Sequence, residues 1–122
     1  MKNAINWFEI PATDFDRAVK FYSAILDTEL YTTQMGGYNM AFLPMEEKGV
    51  GGAIVSGDGC EPSQTGTLVY LNAGNDLTDI LSRVEPNGGS VVLPKTLITE
   101  DIGYMAAFID SEGGKVALHS QH

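Results

Sequence analysis

Three side chains of this 122-residue chain carry the chemistry of a small-molecule site: Trp7, Glu9 and His119. A carboxylate and an imidazole can act as general base and acid, and an indole offers a flat apolar platform with one N–H donor. Residues 5–10, Ile-Asn-Trp-Phe-Glu-Ile, are β-branched and aromatic enough to read as a strand, which Pro11 stops by removing an N–H. Strand alternation puts Ile5, Trp7 and Glu9 on one face, with Phe8 and Ile10 on the other against a helix. In a last strand at 115–119, Ala117 and His119 share a face by the same rule. The expectation is that Trp7, Glu9 and His119 border one cavity. Each also has a plainer reading: Trp7 as core filling, Glu9 as a structural partner of Lys95, His119 or a backbone N–H, and His119 as a surface imidazole near the C-terminus. Tyr38, Met40 and Tyr104 are kept as further pocket lining. Cys60 sits in a Gly-rich stretch without a neighbouring His, which argues against a nucleophile.

The elements that must position these residues follow from spacing. Thr13-Asp14-Phe15-Asp16 carries a hydroxyl cap with a carboxylate three residues on, and Phe15, Ala18, Phe21, Tyr22, Ile25 and Leu26 then recur at helical intervals. Strand-like runs follow at 28–33, 37–43 and 50–55, with Gly36-Gly37 as a turn. Residues 56–66 are rich in glycine and small polar types and read as a linker. The order then repeats. A strand at 67–72 leads to a helix capped by Asn75/Asp76, with Leu77, Ile80, Leu81 and Val84 on one face, ended by Pro86 and Gly88-Gly89. Strands at 90–93, 104–109 and 115–119 complete the second half, with residues 110–114 as a hairpin turn. Aligning Asp14 with Asp76 sets the repeat at 62 residues, so the class is α+β, two βαβββ modules over 1–56 and 67–122 in one domain.

Composition bounds the partners. Seven Lys and Arg against 16 Asp and Glu give a net charge of −9, which repels nucleic acid and anionic lipid. No run approaches the roughly 20 apolar residues of a membrane span, and the N-terminus has no secretory pattern, so a cytoplasmic location is expected. The single cysteine excludes an internal disulfide.

Trp7-Phe-Glu-Ile-Pro-Ala-Thr-Asp-Phe-Asp-Arg-Ala-Val-Lys-Phe-Tyr22, Gly88-Gly89, Pro94-Lys95 and Phe108-Ile-Asp-Ser-Glu-Gly-Gly-Lys-Val-Ala-Leu-His119 together resemble the vicinal oxygen chelate superfamily of glyoxalase I, bleomycin-resistance proteins and extradiol dioxygenases. The resemblance spans the chain. It implies an open barrel of two modules around a cleft, a homodimer, and, in metal-dependent members, four His, Glu or Gln ligands on the cleft faces. Here those positions carry Trp7, Val69 or Thr67, Ala117, and the run Val-Gly-Gly-Ala-Ile-Val at 50–55, so no metal and no cofactor is expected. Pro94-Lys95 corresponds to a loop at the cleft edge. Two functions stay open: binding of a small molecule, aromatic and amine- or hydroxyl-bearing, as in resistance proteins, or an atypical lyase or isomerase using Glu9 and His119.

Overall fold

The computed structural model describes residues 3–122. Its order is β1 (Trp7–Pro11), α1 (Phe15–Leu26), β2 (Tyr31–Met35), β3 (Tyr38–Phe42), β4 (Gly51–Ser56), then β5 (Tyr70–Asn72), α2 (Thr78–Val84), a 3₁₀ turn Glu85–Asn87, β6 (Ser90–Thr99), β7 (Gly103–Ile109) and β8 (Lys115–Ser120). These form two four-stranded mixed sheets, ordered β1-β4-β3-β2 and β5-β8-β7-β6. In each, the first strand runs parallel to the last, as it must when a helix carries the chain over one sheet face. This is the expected α+β fold of two βαβββ modules. Residues 57–69 between them carry only turns and bends.

Both helices cover one side of the sheets. Phe21, Tyr22 and Ile25 of α1 and Val84 of α2 pack with Ile54, Phe108 and Leu118 into one core. That leaves the opposite sheet faces without any covering element, and those faces hold the candidate residues. Two features of the strands set the geometry. Gly36 and Gly37 both have positive φ, so a two-residue turn joins β2 to β3 and fixes Met35 opposite Tyr38 and Tyr31 opposite Phe42. In β4, Gly51 and Gly52 let aromatic rings settle on the backbone from both sides. A Cβ on Gly51 would stand 3.3 Å from the Trp7 ring, and one on Gly52 only 2.5 Å from the Phe8 ring.

Four expectations need correction. Pro11 lies inside β1 and does not stop it, because Ala12 N–H still bonds the Val55 carbonyl at 2.8 Å. That bond turns the even-numbered peptide groups toward β4, so the N–H that Pro11 lacks would have pointed off the sheet edge. Asp14, not Thr13, caps α1, accepting from Arg17 N–H at 3.1 Å. β6 continues through Pro94-Lys95 to Thr99, because an edge strand can absorb a proline at a bulge, and its pairing with β7 is bulged at three points. The module repeat is 63, not 62: α2 begins after Leu77, one residue later than the Asp76 alignment supposed.

Candidate functional site

Sheet alternation and register place each candidate. On the open face of the first sheet stand Trp7 and Glu9 from β1, Tyr38, Met40 and Phe42 from β3, and Tyr31 and Met35 from β2. Trp7 is 40% exposed and Tyr31 72%. Their rings form a row across the sheet: Trp7 meets Phe42 edge to face at 5.9 Å, and Phe42 stacks on Tyr31 at 5.9 Å and 17°. The Trp7 Nε1–H donates to Glu9 Oε2 at 3.3 Å. An indole and a carboxylate on one strand face therefore already cooperate, and the second Glu9 oxygen remains available as an acceptor. Tyr38, as expected, is on this face, its hydroxyl donating to the Asp58 carbonyl at 3.2 Å.

His119 lies on the second sheet, opposite Asn72 in β5 and Met105 in β7. Its Nε2 is 2.6 Å from the Ile102 carbonyl, a contact in which Nε2–H donates and the carbonyl accepts. With Tyr70, Asn72, Ile98, Ile102 and Met105 it lines a hollow of about 520 Å³, while Glu9 lines a different one of about 380 Å³. Trp7 and Glu9 are thus brought together, and His119 stands apart from them in the single chain.

Tyr104 is not on the open face. It shares a face with Ala106 and Phe108 and packs against the core, because β7 alternates with Met105, not Tyr104, turned outward. Val69 likewise packs on the core side, and with the repeat at 63 the open-face counterpart of Trp7 is Tyr70, opposite Ala117. Lys95 is not in a loop: from β6 it pairs with Asp76 at 3.0 Å and sits 4.7 Å over the Tyr104 ring. The Asp76 carboxyl is held well below its usual range by hydrogen bonds from the Thr78 side chain and backbone, and then from Lys95. Burial first, and then the charge of Glu9, push the Cys60 thiol up, which keeps it protonated and agrees with a non-nucleophilic cysteine.

Sequence reasoning missed Phe42 and Tyr31 as neighbours of Trp7. The signal was present, since a two-residue turn at Gly36-Gly37 sets the hairpin register, and counting back from it pairs the two rings. It also missed the tie between modules. Glu112, in the β7–β8 turn, accepts from Thr13 N–H and Asp14 N–H and pairs with Arg17 at 2.7 Å, its side chain 1% exposed.

Among the described residues, no three His, Cys, Asp or Glu side chains gather as a metal site would require. At the open-face positions where the resemblance places ligands stand Trp7, Gly51, Tyr70 and Ala117, which supply no imidazole or carboxylate.

The comparisons with known proteins agree with this fold. The family model described as Glyoxalase/Bleomycin resistance protein/Dioxygenase superfamily matches residues 4–118. No curated protein sequence matches the chain. Among solved structures, a glyoxalase/bleomycin resistance protein/dioxygenase domain from Frankia sp. EAN1pec superposes with TM-score 0.73 at 16% identity, covering 100% of this chain and 94% of that one. A glyoxalase/bleomycin resistance protein from Albidiferax ferrireducens T118 gives 0.72 at 16%, covering 98% and 100%. A mutant glyoxalase I from Zea mays gives 0.71 at 21%, covering 94% of this chain but 45% of its own, so the chain spans about half of that enzyme. At such identities the structural likeness speaks for the fold, and the family model speaks for descent. The chain belongs to the glyoxalase/bleomycin resistance protein/dioxygenase superfamily.

Proposed function

We propose that the protein binds a small aromatic molecule bearing a hydroxyl or amine, without a metal ion or cofactor, on the open face of the first sheet, and that it works as a cytoplasmic homodimer. The observation that carries this reading is the exposed ring row Trp7–Phe42–Tyr31 with the Glu9 carboxylate hydrogen-bonded to its first member. A flat ligand stacked on Trp7 gains apolar contact, and its donor reaches the free oxygen of Glu9. The absence of carboxylate and imidazole from the family's ligand positions favours this over metal-assisted chemistry. The field of a chain at −9 adds preference for neutral or cationic ligands over anions. Sequestration of such a molecule needs nothing beyond such a pocket.

The uncharged probe 2-naphthol tests it. Trp7→Ala should weaken binding by about 1–3 kcal/mol through lost stacking and buried area, measured by calorimetry. Glu9→Gln should keep part of the affinity, because the amide retains an acceptor oxygen. If turnover of some substrate were found and Glu9→Gln abolished it while binding persisted, the atypical lyase or isomerase reading with Glu9 as base and His119 as acid would replace this one. Unchanged affinity in Trp7→Ala would remove the ring row from the site.

A further inference from the structure

The cavity of about 380 Å³ that Glu9 borders does not open on the aromatic row. It is lined by four consecutive residues of β1, Phe8, Glu9, Ile10 and Pro11. Successive side chains of a strand point to opposite faces, so a cavity touched by all four meets the strand edge-on. β1 is an edge strand, and among the described residues no strand pairs with its free side. The Ala12–Val55 bond directs the peptide groups of Glu9 and Pro11 toward this gap, and Pro11 offers only its carbonyl there. The wall is therefore rich in acceptors. Glu61 adds a carboxylate to the cavity, and Ser63, Thr65 and Thr67 add hydroxyls. Across from β1, at the start of β8, stands Lys115.

The Glu9 carboxylate is turned to the open face, where it accepts from Trp7, which leaves Glu61 and Lys115 as the charges of this cavity. The ion pairs among the described residues are Arg17–Glu112 and Lys95–Asp76, and neither Glu9, Glu61 nor Lys115 takes part. Apolar Phe8, Ile10, Val69 and Val116 form the rest of the lining. We propose that this gap beside β1 is a second binding site, distinct from the open face, for a small zwitterion with an apolar body: its ammonium against Glu61 and the acceptor edge of β1, its carboxylate against Lys115. A compound with one of the two charges leaves an opposing ionic group desolvated without a partner, which is where selectivity arises.

Calorimetric titration of the full chain with L-phenylalanine, phenethylamine and 3-phenylpropionate separates the contributions, since the three share a body and differ in charge. L-phenylalanine should bind about tenfold or more tightly than either single-charge analogue. Lys115→Met should erase that advantage over phenethylamine, and Glu61→Gln should weaken L-phenylalanine and phenethylamine together. Both residues are exposed, and thermal melting shows whether each variant retains its fold. Phenethylamine binding as tightly as L-phenylalanine to the unmodified chain would overturn the proposal, as would no binding of any of the three. Because 2-naphthol carries neither charge, loss of this site leaves the open-face result untouched, and the reverse.

Discussion

At the scale of single residues, the site depends on what its neighbours lack. Trp7 and Phe8 lie on opposite faces of β1, and Phe8 needs the bare backbone of Gly52 beside it, while a Cβ on Gly51 would first meet the Met45 sulfur. Gly52→Ala would put a methyl 2.5 Å from the rigid, half-buried Phe8 ring, which has the core behind it. A cost of about 1–3 kcal/mol in urea unfolding is expected, typical of overpacking. Gly36→Ala offers a contrast, since nothing stands within 4 Å there and the penalty comes from its φ of +60° alone. The alternation that paired Trp7 with Glu9 was legible in six residues of sequence. The placement of Tyr104 was not, because Tyr104 and its neighbour Met105 are both large and largely apolar and only the pairing with β8 says which one turns to the core.

Among elements, the β7–β8 turn does more than reverse the chain. Glu112 reaches the entry to α1 and accepts from the amides of Thr13 and Asp14 just ahead of the helix, while Asp110 behind it takes a 2.7 Å hydrogen bond from buried Tyr22. Burial pushes the Glu112 carboxyl up, but the bonds from Arg17 and from the Asp14 backbone outweigh it and leave it below its ordinary 4.5. A depressed carboxyl stabilises the fold fully above its unfolded value and loses that contribution as pH falls from 4.5 through the folded value. Urea unfolding of the unmodified chain and Glu112→Gln at a series of pH values should therefore show a gap at pH 7 that closes on acidification below about 4.5. Glu112→Ala should lose about 2–3 kcal/mol at pH 7, as the Thr13 and Asp14 amides and Arg17 give up a charged acceptor. A turn was readable from Asp110 to Gly114, yet its partner 98 residues away was not, since long-range capping leaves no local pattern. The same limit shortened β5, where only three of the expected strand residues find ladder partners.

For the molecule as a whole, the duplicated order of strands and helices was readable because each module repeats the same switch of hydrophobic period. Its offset was wrong by one residue, and in a strand one residue exchanges faces, which is why Val69 stood where Tyr70 belongs. The open faces carry exposed Tyr31, Met35, Tyr38 and Tyr70, with Ile102 exposed beside them, apolar groups that a second copy of the chain could cover. Multi-angle light scattering should accordingly give a dimer mass, and Tyr31→Glu with Met35→Glu should shift it toward monomer. A monomer at high protein concentration would contradict the dimer.

Trp7 is the only tryptophan, so its indole N–H gives a single proton–nitrogen resonance that reports the ring and its bond to Glu9 at once. Titrating isotopically labelled protein with 2-naphthol should move that resonance in a saturable way, with the shift smaller at equal ligand in Glu9→Gln. A resonance that stays in place, or drifts linearly without saturation while other signals report binding, would show that the ligand sits elsewhere than on the Trp7 face.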